Sequence, residues 1–374
     1  MQKSTIILCL VGLLAILFLL FSLQQKPSPQ SPNPVKQEIT PDRTSSFTPA
    51  PLSLEHIFAK DHSWTATLSA ERKRVIVATG DVIPARAVNY ETIKRNDFTW
   101  PFQKTADVVK DADITFINLE TPLLHACPVT QQGMIFCGDA KHVEGLLLAG
   151  VDIASLANNH AGNYQEKGVE ETVQLLQDTG IAVVGTATIN PTVIDIRGMK
   201  FAFLGYDDIT TPQPGVANVD EETIKKDIAN AKTQADYVIV TYHWGVEYRD
   251  QPDDRQIYLG HFTIDAGADL VIGNHPHWIQ PVEMYKPSLP SPDGERKNKL
   301  ITYAHGNYIF DQMWSEETKK GVICRYTFYD NQLVDVEYLP LYIENYGQPH
   351  FLEDEQKQKV LEDMKNASYK LQSP

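Results

Sequence analysis

The stretch Val271-Ile272-Gly273-Asn274-His275-Pro276-His277 decides the fold that we predict for this chain. Residues 268–272 form a mainly apolar run, which predicts a buried strand that ends at a glycine. Pro276 fixes its own φ and biases His275 away from the helical region, so we expect both histidines on a stiff, extended loop. Neutral imidazole binds zinc, manganese and iron, so the pair indicates a site for one metal or two adjacent metals. Two surface histidines on a turn are the alternative.

The rest of the chain alternates between patterns typical of strands and of helices. Apolar or β-branched runs predict strands at 74–79, 114–118, 152–156, 181–184, 193–196, 200–204, 236–242, 270–272, 299–304, 321–329 and 332–339. Helical patterns lie at 105–110, 142–149, 166–178, 220–234, 253–266 and 353–368. This alternation predicts a layered α/β fold.

Side chains that can bind a metal follow five of the predicted strands. They are Asp81, Glu120, Asn159, His160, His243, His275 and His277. In sheets of α/β proteins, ligands bind outside the carboxyl ends of the strands, so we expect these groups to meet at one edge. Strand-end loops are polar in any protein, but this ligand chemistry after five separate strands is hard to reach by chance.

Length and charge narrow the classes of protein. The chain has 374 residues and a formal net charge of −15, which argues against nonspecific binding of nucleic acid. The same acidity is compatible with bound divalent cations, which need carboxylates.

The amino-terminal part predicts a membrane protein. Residues 6–23 are almost entirely apolar, near the minimum for crossing a bilayer, so we expect residues 1–23 to be an uncleaved anchor. A cleaved signal peptide is the alternative. Residues 24–60 form a Pro/Ser-rich linker that cannot bury a core. The sequence thus predicts a single-pass protein of the cell membrane whose domain, at 70–345 with a helical tail at 346–374, faces the outside.

The four cysteines show no C-x-x-C spacing, so a thiolate zinc site is not indicated. Outside the cell, Cys127 and Cys137 would form a disulfide that closes a short polar loop. Two unpaired thiols are the alternative.

Six stretches at these strand ends carry a family pattern. They are Gly80-Asp81, Asn118-Leu119-Glu120-Thr121-Pro122, Ala157-Asn158-Asn159-His160, the run from Tyr242 to Tyr248, Gly273-Asn274-His275-Pro276-His277, and the run from Tyr303 to Gln312. In order and content they resemble the CapA/PgsA family of poly-γ-glutamate capsule biosynthesis proteins, within the calcineurin-like metallophosphatase superfamily. The resemblance covers about residues 74–312.

The resemblance implies a four-layer α/β/β/α sandwich of the metallophosphatase type, preceded by one transmembrane helix. It also implies a two-metal site. Asp81, Glu120 and His277 would hold one metal, and Glu120 would bridge to a second held with Asn159, His243 and His275. His160 would face the substrate as a catalytic residue. The sequence does not distinguish Mn, Fe, Zn or Mg as the divalent ion, or one ion from two.

The chain departs from the family pattern at two places. The first superfamily motif is normally Asp-x-His, but Ile83 stands where the histidine would be, which removes an imidazole from the first metal. Within CapA proteins an aspartate usually lies three residues after the Asn-Asn-His box, and here that residue is Asn163.

Two functional classes follow. The first is a metal-dependent hydrolase or transferase that acts on a phosphoester or a γ-glutamyl amide, with a divalent cation that activates water. His160 would then protonate the leaving group or stabilise charge. The second is a non-catalytic accessory subunit for assembly or export of an anionic polymer. In either class, the expected partners of the protein are the cell membrane, through the amino-terminal helix, and the anionic capsule polymer or its synthase subunits, with no nucleic acid.

Several neighbouring residues allow two interpretations. Glu247 is either a carboxylate that orients a ligating histidine or a solvated surface acid. The aromatic residues Trp244, Tyr248, Trp278 and Tyr308 either line a pocket or pack in the core. His305 is either a residue of the pocket wall or a spare metal ligand.

Overall fold

The computed structural model describes residues 50–209, 211–288, 296–330 and 332–372. The predicted anchor at 1–23 and linker residues 24–49 lie outside the described residues. Within the described ranges, no helix combines the length and the apolar character that crossing a membrane requires.

Two β-sheets form the centre of the fold. The strands are β1 Lys73–Val82, β2 Ile114–Leu119, β3 Leu123–Leu124, β4 Gly138–Asp139, β5 Ile153–Ser155, β6 Ala182–Val184, β7 Thr192–Ile196, β8 Met199–Asp207, β9 Tyr237–His243, β10 Leu270–Asn274, β11 Val282–Tyr285, β12 Lys299–Thr302, β13 Asn307–Ile309, β14 Lys320–Tyr329, β15 Gln332–Glu344 and β16 Gln348–Phe351. One sheet has the order β16-β15-β14-β1-β2-β5-β6, with β13 beside β1. The other has the order β11-β12-β10-β9-β8-β7, and β3 pairs with β4 separately.

The helices are α1 Leu54–Ile57, α2 Arg86–Arg95, α3 Ala106–Val109, α4 Val143–Leu148, α5 Gln165–Asp178, α6 Glu221–Ala231, α7 Asp254–Asp265 and α8 Asp354–Gln372. Short 3₁₀ turns lie at Ser63–Thr67, Ala140–His142, Ala161–Tyr164 and Glu317–Lys319. Helix α7 begins with a capping box between Asp253 and Gln256, which satisfies two backbone donors at once.

Alternating side chains on the strands create the layers. Ile76 and Phe116 from the first sheet pack in one core with Phe203 and Ile239 from the second sheet. Their neighbours in sequence point the other way and pack against helices: Val77 and Ile117 with α3 and α5 on one side, and Leu204 and Val240 with α6 and α7 on the other. Both sheets are therefore covered on both faces, and the predicted layered α/β fold is confirmed.

The predicted strands and the hairpin of β7 and β8 are all present. Elements without a clear pattern were missed: α1, α2, β3, β4, β11, β13 and β16. The linker prediction of 24–60 extends too far, because Leu54 and Ile57 are buried and the compact unit spans 50–374. The tail predicted at 346–374 is part of the same unit, since Val360 and Met364 of α8 are buried in the central core.

Cys127 and Cys137 form the predicted disulfide, with Cα atoms 5.8 Å apart across a separation of 10 residues. Closing a loop of this length removes conformational entropy from the unfolded chain and stabilises the fold by about 2–3 kcal/mol. We therefore expect the variant with both Cys127→Ser and Cys137→Ser to lose about that free energy of unfolding, measured by urea denaturation. An unchanged midpoint would show that the loop gains nothing from its crosslink.

The buried side chain of His142 should make the stability of the folded protein sensitive to acid. It is fully buried, and burial lowers its pKa to about 3. Between pH 6.5 and 3 the unfolded chain binds a proton at this histidine that the folded protein does not, so the free energy of unfolding falls as pH falls, by about 1.4 kcal/mol per pH unit. Urea denaturation of His142→Gln at pH 7 and pH 5 should show a smaller fall than in the wild type. Equal falls would contradict this assignment.

Candidate metal centre

The carboxyl ends of strands from both sheets meet at one edge. Asp81 lies in β1 and His243 ends β9. Glu120 follows β2, Asn159 follows β5, and His275 and His277 follow β10. The parallel pairings β1–β2 and β9–β10 bring these ends side by side, because parallel strands end at the same edge of a sheet.

Close backbone approaches shape this edge. A Cβ on Gly273 would lie 2.1 Å from the Tyr303 carbonyl oxygen and 2.3 Å from Trp244 Nε1, so only glycine fits. The loop after it differs from the predicted extended form. His275 has a φ of 102° and His277 a φ of 57°. A positive φ is unfavourable for residues other than glycine, and it occurs where the surrounding structure imposes it.

Asp81 anchors the centre from the first sheet. One of its carboxylate oxygens accepts a hydrogen bond from Asn118 Nδ2 at 2.8 Å. The other lies 3.0 Å from His277 Nδ1 and 3.4 Å from the backbone nitrogen of His275. The carboxylate is fully buried, yet its contacts with His277 and Asn118 hold its pKa below the usual value.

His277 has a defined proton position. Its Nδ1 lies 3.0 Å from Asp81 and 3.0 Å from Asn307 Oδ1, and both are acceptors. Asn307 Nδ2 donates to the Thr318 carbonyl, which fixes the orientation of the amide. Nδ1 therefore carries hydrogen and Nε2 is the atom available to a metal. Burial favours the neutral ring, but the charges of Glu120 and Asp81 raise the pKa of His277 to about 9.

His243 gathers the second set of groups. Its Nε2 lies 2.9 Å from Asn159 Oδ1, 3.0 Å from His275 Nδ1 and 3.4 Å from Glu120 Oε1. Atoms that bind one cation at about 2.1 Å lie about 3–3.5 Å from one another. Burial lowers the pKa of His243 to about 4 and that of His275 well below its usual value, so both rings are neutral near pH 7.

Glu120 shows whether these residues fit a cation. It is fully buried, and across the described residues neither carboxylate oxygen has a hydrogen-bond partner. Burial and the charge of Asp81 raise its pKa well above the usual value. A buried carboxylate without a partner is costly in free energy unless a charge compensates it. Neutral imidazoles and a carboxylate are the donors that divalent metals prefer, so the residues present fit a divalent ion.

Among the residues that the structure describes, three groups of donors have ligand atoms within 4.8 Å of one another. Two of them match the pattern implied by the family resemblance: Asp81, Glu120 and His277, and Glu120, His243 and His275. The third joins Glu247 with His275 and His277. Glu247 therefore lies at the centre, which favours its interpretation as a carboxylate of the site over a solvated surface acid.

His160 lies beside this cluster and on the wall of a cavity. Asn163 Oδ1 accepts the Phe136 backbone N–H at 2.6 Å and lies 3.0 Å from His160 Nδ1. Nδ1 of His160 therefore carries hydrogen, and Nε2 is left for a ligand. The Phe136 ring stacks on the imidazole with centroids 3.9 Å apart. Burial lowers the pKa of His160 to about 4.

The cavity has a volume of about 610 Å³. Its lining residues include His160, His277, Glu247, Arg86 and Asp311. Ile83, at the position where the superfamily motif has its histidine, is buried in a small cluster with Phe136 and Phe310. An apolar side chain therefore occupies the place of the missing imidazole.

Sequence reasoning missed three polar residues of this edge. Asn118 lies 2.8 Å from Asp81 and 3.3 Å from His243 Nδ1, and Asn307 orients His277. Asp207, next to His243 across the β8–β9 pair, is buried, and burial raises its pKa to about 6. Each stands at or beside a strand end, which is the same signal that identified the other residues.

The residues with two interpretations now separate. Trp244 and Tyr308 are fully buried and pack in the core, whereas Tyr248 lines the cavity. Trp278 lines a different cavity beside α8. His305 is fully buried with Nδ1 3.3 Å from the Thr79 carbonyl, and the three candidate groups of metal donors do not include it.

Residues 75–312 match the family model of the bacterial capsule synthesis protein PGA_cap. The chain belongs to this family. Its relatives include the capsule biosynthesis protein CapA of Bacillus anthracis, 29% identical over 297 residues that cover 74% of this chain and 69% of the relative. The PGA biosynthesis protein CapA of Bacillus subtilis is 28% identical over 297 residues, 75% of each chain.

More distant similarities were found to a further protein and to a solved structure. A probable polyglutamine synthesis accessory protein of Mycobacterium tuberculosis is 26% identical over 262 residues, which cover 63% of this chain and 66% of that protein. Among solved structures, a phosphatase from Mycoplasma pneumoniae aligns with a TM-score of 0.44 and 14% identity, covering 77% of this chain and 96% of that one.

Proposed function

We propose that this capsule synthesis protein acts in poly-γ-glutamate biosynthesis through a divalent metal centre that supports hydrolysis or transfer of a γ-glutamyl amide or a phosphoester. The observation that carries the proposal is the buried carboxylate of Glu120, which has no hydrogen-bond partner among the described residues and lies 3.4 Å from His243 Nε2. The similarity to the capsule and PGA biosynthesis proteins of the two Bacillus species supports the choice of polymer.

Two sets of side chains would hold the metal. One set consists of Asp81 and His277, and the other consists of Asn159, His243 and His275. Glu120 would belong to both sets, and Glu247 lies close to the two histidines after β10. A bound divalent ion activates water and stabilises negative charge that develops on the substrate. Imidazole and carboxylate ligands suit several divalent ions.

The protein's own residues would orient the reacting groups. Asn118 fixes Asp81, Asn307 fixes the ring of His277, and Asn163 fixes the ring of His160 through the 3.0 Å contact at Nδ1. Nε2 of His160 is then the atom that interacts with a substrate in the cavity. In its neutral form this atom accepts a hydrogen bond, and only the protonated ring gives a proton to a leaving group.

A membrane location is part of the proposal. The apolar run at 6–23 would anchor the protein by a single pass, and the disulfide supports a domain that faces an oxidising compartment outside the cytoplasm. The anionic polymer and its synthase subunits would be its partners at the bacterial cell surface.

A non-catalytic accessory role is the second candidate. It is favoured by the apolar Ile83 in place of a ligating histidine, and by the similarity to the probable polyglutamine synthesis accessory protein of Mycobacterium tuberculosis. In this case the metal centre would be structural, and the protein would assist assembly or export of the polymer.

Metal content and turnover together test the proposal. We expect elemental analysis of the purified protein to find divalent metal, and a turnover assay to detect cleavage of γ-linked polyglutamate or of a generic phosphodiester. Full metal occupancy without turnover on either substrate would favour the accessory role. A purified protein that holds no divalent metal, even after metal is added, would contradict the proposed centre.

A further inference from the structure

Arg86 stands apart from the other residues of the cavity wall. Of the described residues that line the cavity, it alone carries a guanidinium or ammonium group. It is the first residue of α2 and has a φ of 49°, an unfavourable value for a side chain of this size. Its side chain is only 15% exposed.

Two aromatic rings lie against the guanidinium of Arg86. Its Cζ lies 4.8 Å from the centroid of Phe136 and 4.8 Å from that of Phe310. With apolar rings against it, the group can form hydrogen bonds only at its edges. Asp311 accepts one of these bonds, and the Gly133 carbonyl accepts another at 3.2 Å.

These contacts leave donors unused. A guanidinium has five N–H groups, and the buried Nε of Arg86 has no hydrogen-bond partner within the described part of the chain. An unpaired buried donor is unfavourable. If Arg86 served only to bind Asp311, its Nε would not need to be buried without a partner. A ligand carboxylate, which accepts two parallel bonds from arginine, would use the remaining edge.

An unused acceptor lies in the same wall. Gln312 follows Asp311 directly, and its Nε2 donates to the Tyr248 hydroxyl at 2.9 Å. This bond orients the amide, and its buried Oε1 has no partner among the described residues. The cavity thus offers one cationic donor and one neutral acceptor that its own side chains do not satisfy. A carboxylate together with an amide N–H matches this pair.

We propose that Arg86 and Gln312 form a recognition site for a carboxylate-bearing, amide-linked unit of the substrate chain. Arg86 binds the carboxylate and Gln312 Oε1 accepts the amide N–H. This inference rests on the proposed function, because it names what the same cavity selects. A substrate whose only anionic group is a phosphate at the metal centre would leave both groups unused.

Calorimetric titration of the metal-loaded full chain tests the site with two probes: a γ-linked glutamate oligomer, and the same oligomer with its free carboxylates converted to amides. We expect the free acid to bind at least about tenfold more tightly, the effect of one charge-assisted hydrogen bond. Equal affinities, or no binding of either oligomer, would overturn the proposal without any variant.

The variant Arg86→Lys keeps the charge next to Asp311 but removes the planar group. It should lose the preference for the free acid while retaining its metal content, and Arg95→Lys in the same helix should keep the preference. A preference that survives in Arg86→Lys would overturn the role of Arg86. If the wild type binds metal and turns over substrate but shows no preference for the free acid, this inference fails and the proposed function stands. If the wild type neither binds metal nor turns over substrate, the proposed function itself is refuted.

Discussion

Replacing Glu120 by glutamine should stabilise the metal-free protein and abolish its stabilisation by divalent cations. Without a cation, the wild type buries a carboxylate that has no hydrogen-bond partner among the described residues and that lies near Asp81, whose charge helps to raise its pKa. Glutamine has nearly the same shape and no charge, so we expect the free energy of unfolding of the metal-free protein to rise by about 1–2 kcal/mol.

The opposite effect is expected when metal is present. A cation at 100 times its Kd stabilises the wild type by about 2.7 kcal/mol, because it binds the folded state. The variant lacks the carboxylate that both candidate donor groups around Asp81 and His243 share, so this gain should disappear. Thermal unfolding with and without Mn²⁺, after chelation, measures both effects. The role of Glu120 as a metal ligand would be refuted if the Glu120→Gln protein were less stable than the wild type without metal, or if Mn²⁺ still stabilised it.

His243→Ala should remove bound metal, whereas His305→Ala should not. Both histidines are fully buried at strand ends, and burial lowers the pKa of each to about 4. They differ in surroundings, because His243 Nε2 faces Asn159, His275 and Glu120. His305 instead lies near the Thr79 carbonyl and the Tyr326 hydroxyl.

The comparison separates a ligand from a packed core residue. We expect both variants to unfold more easily, since each leaves a cavity of similar size. Only His243→Ala should fall well below the wild-type metal content, measured by elemental analysis after dialysis against a metal-containing buffer. Equal metal content in the two variants would mean that His243 is not a ligand.

The layered fold could be predicted from sequence because buried strands and amphipathic helices each leave a local pattern. Residues 114–118 and 236–242 are short apolar runs, and they became β2 and β9 with small changes at the ends. Helix α2 was missed because its buried face includes Asn89 and Thr92 and therefore shows no clear apolar stripe. Strands β13 and β16 are short and depend on pairing with distant strands.

Much of the candidate site was predictable for a different reason. Asp81, Glu120 and His243 follow strands, and parallel strands place such residues at one edge wherever the chain goes in between. The supporting residues were not predictable in this way. Asn118 and Asn307 act through hydrogen bonds of defined geometry, and the local sequence carries no signal for the positive φ of His275 and His277.

The central claim is that Asp81, Glu120, His243, His275 and His277 surround one divalent metal centre. An anomalous difference map from crystals grown with Mn²⁺ tests it most directly. We expect a peak within about 2.5 Å of a Glu120 carboxylate oxygen and of an imidazole nitrogen from at least one of these histidines. A map with no peak at this edge of the sheets, or with peaks only at surface carboxylates, would contradict it.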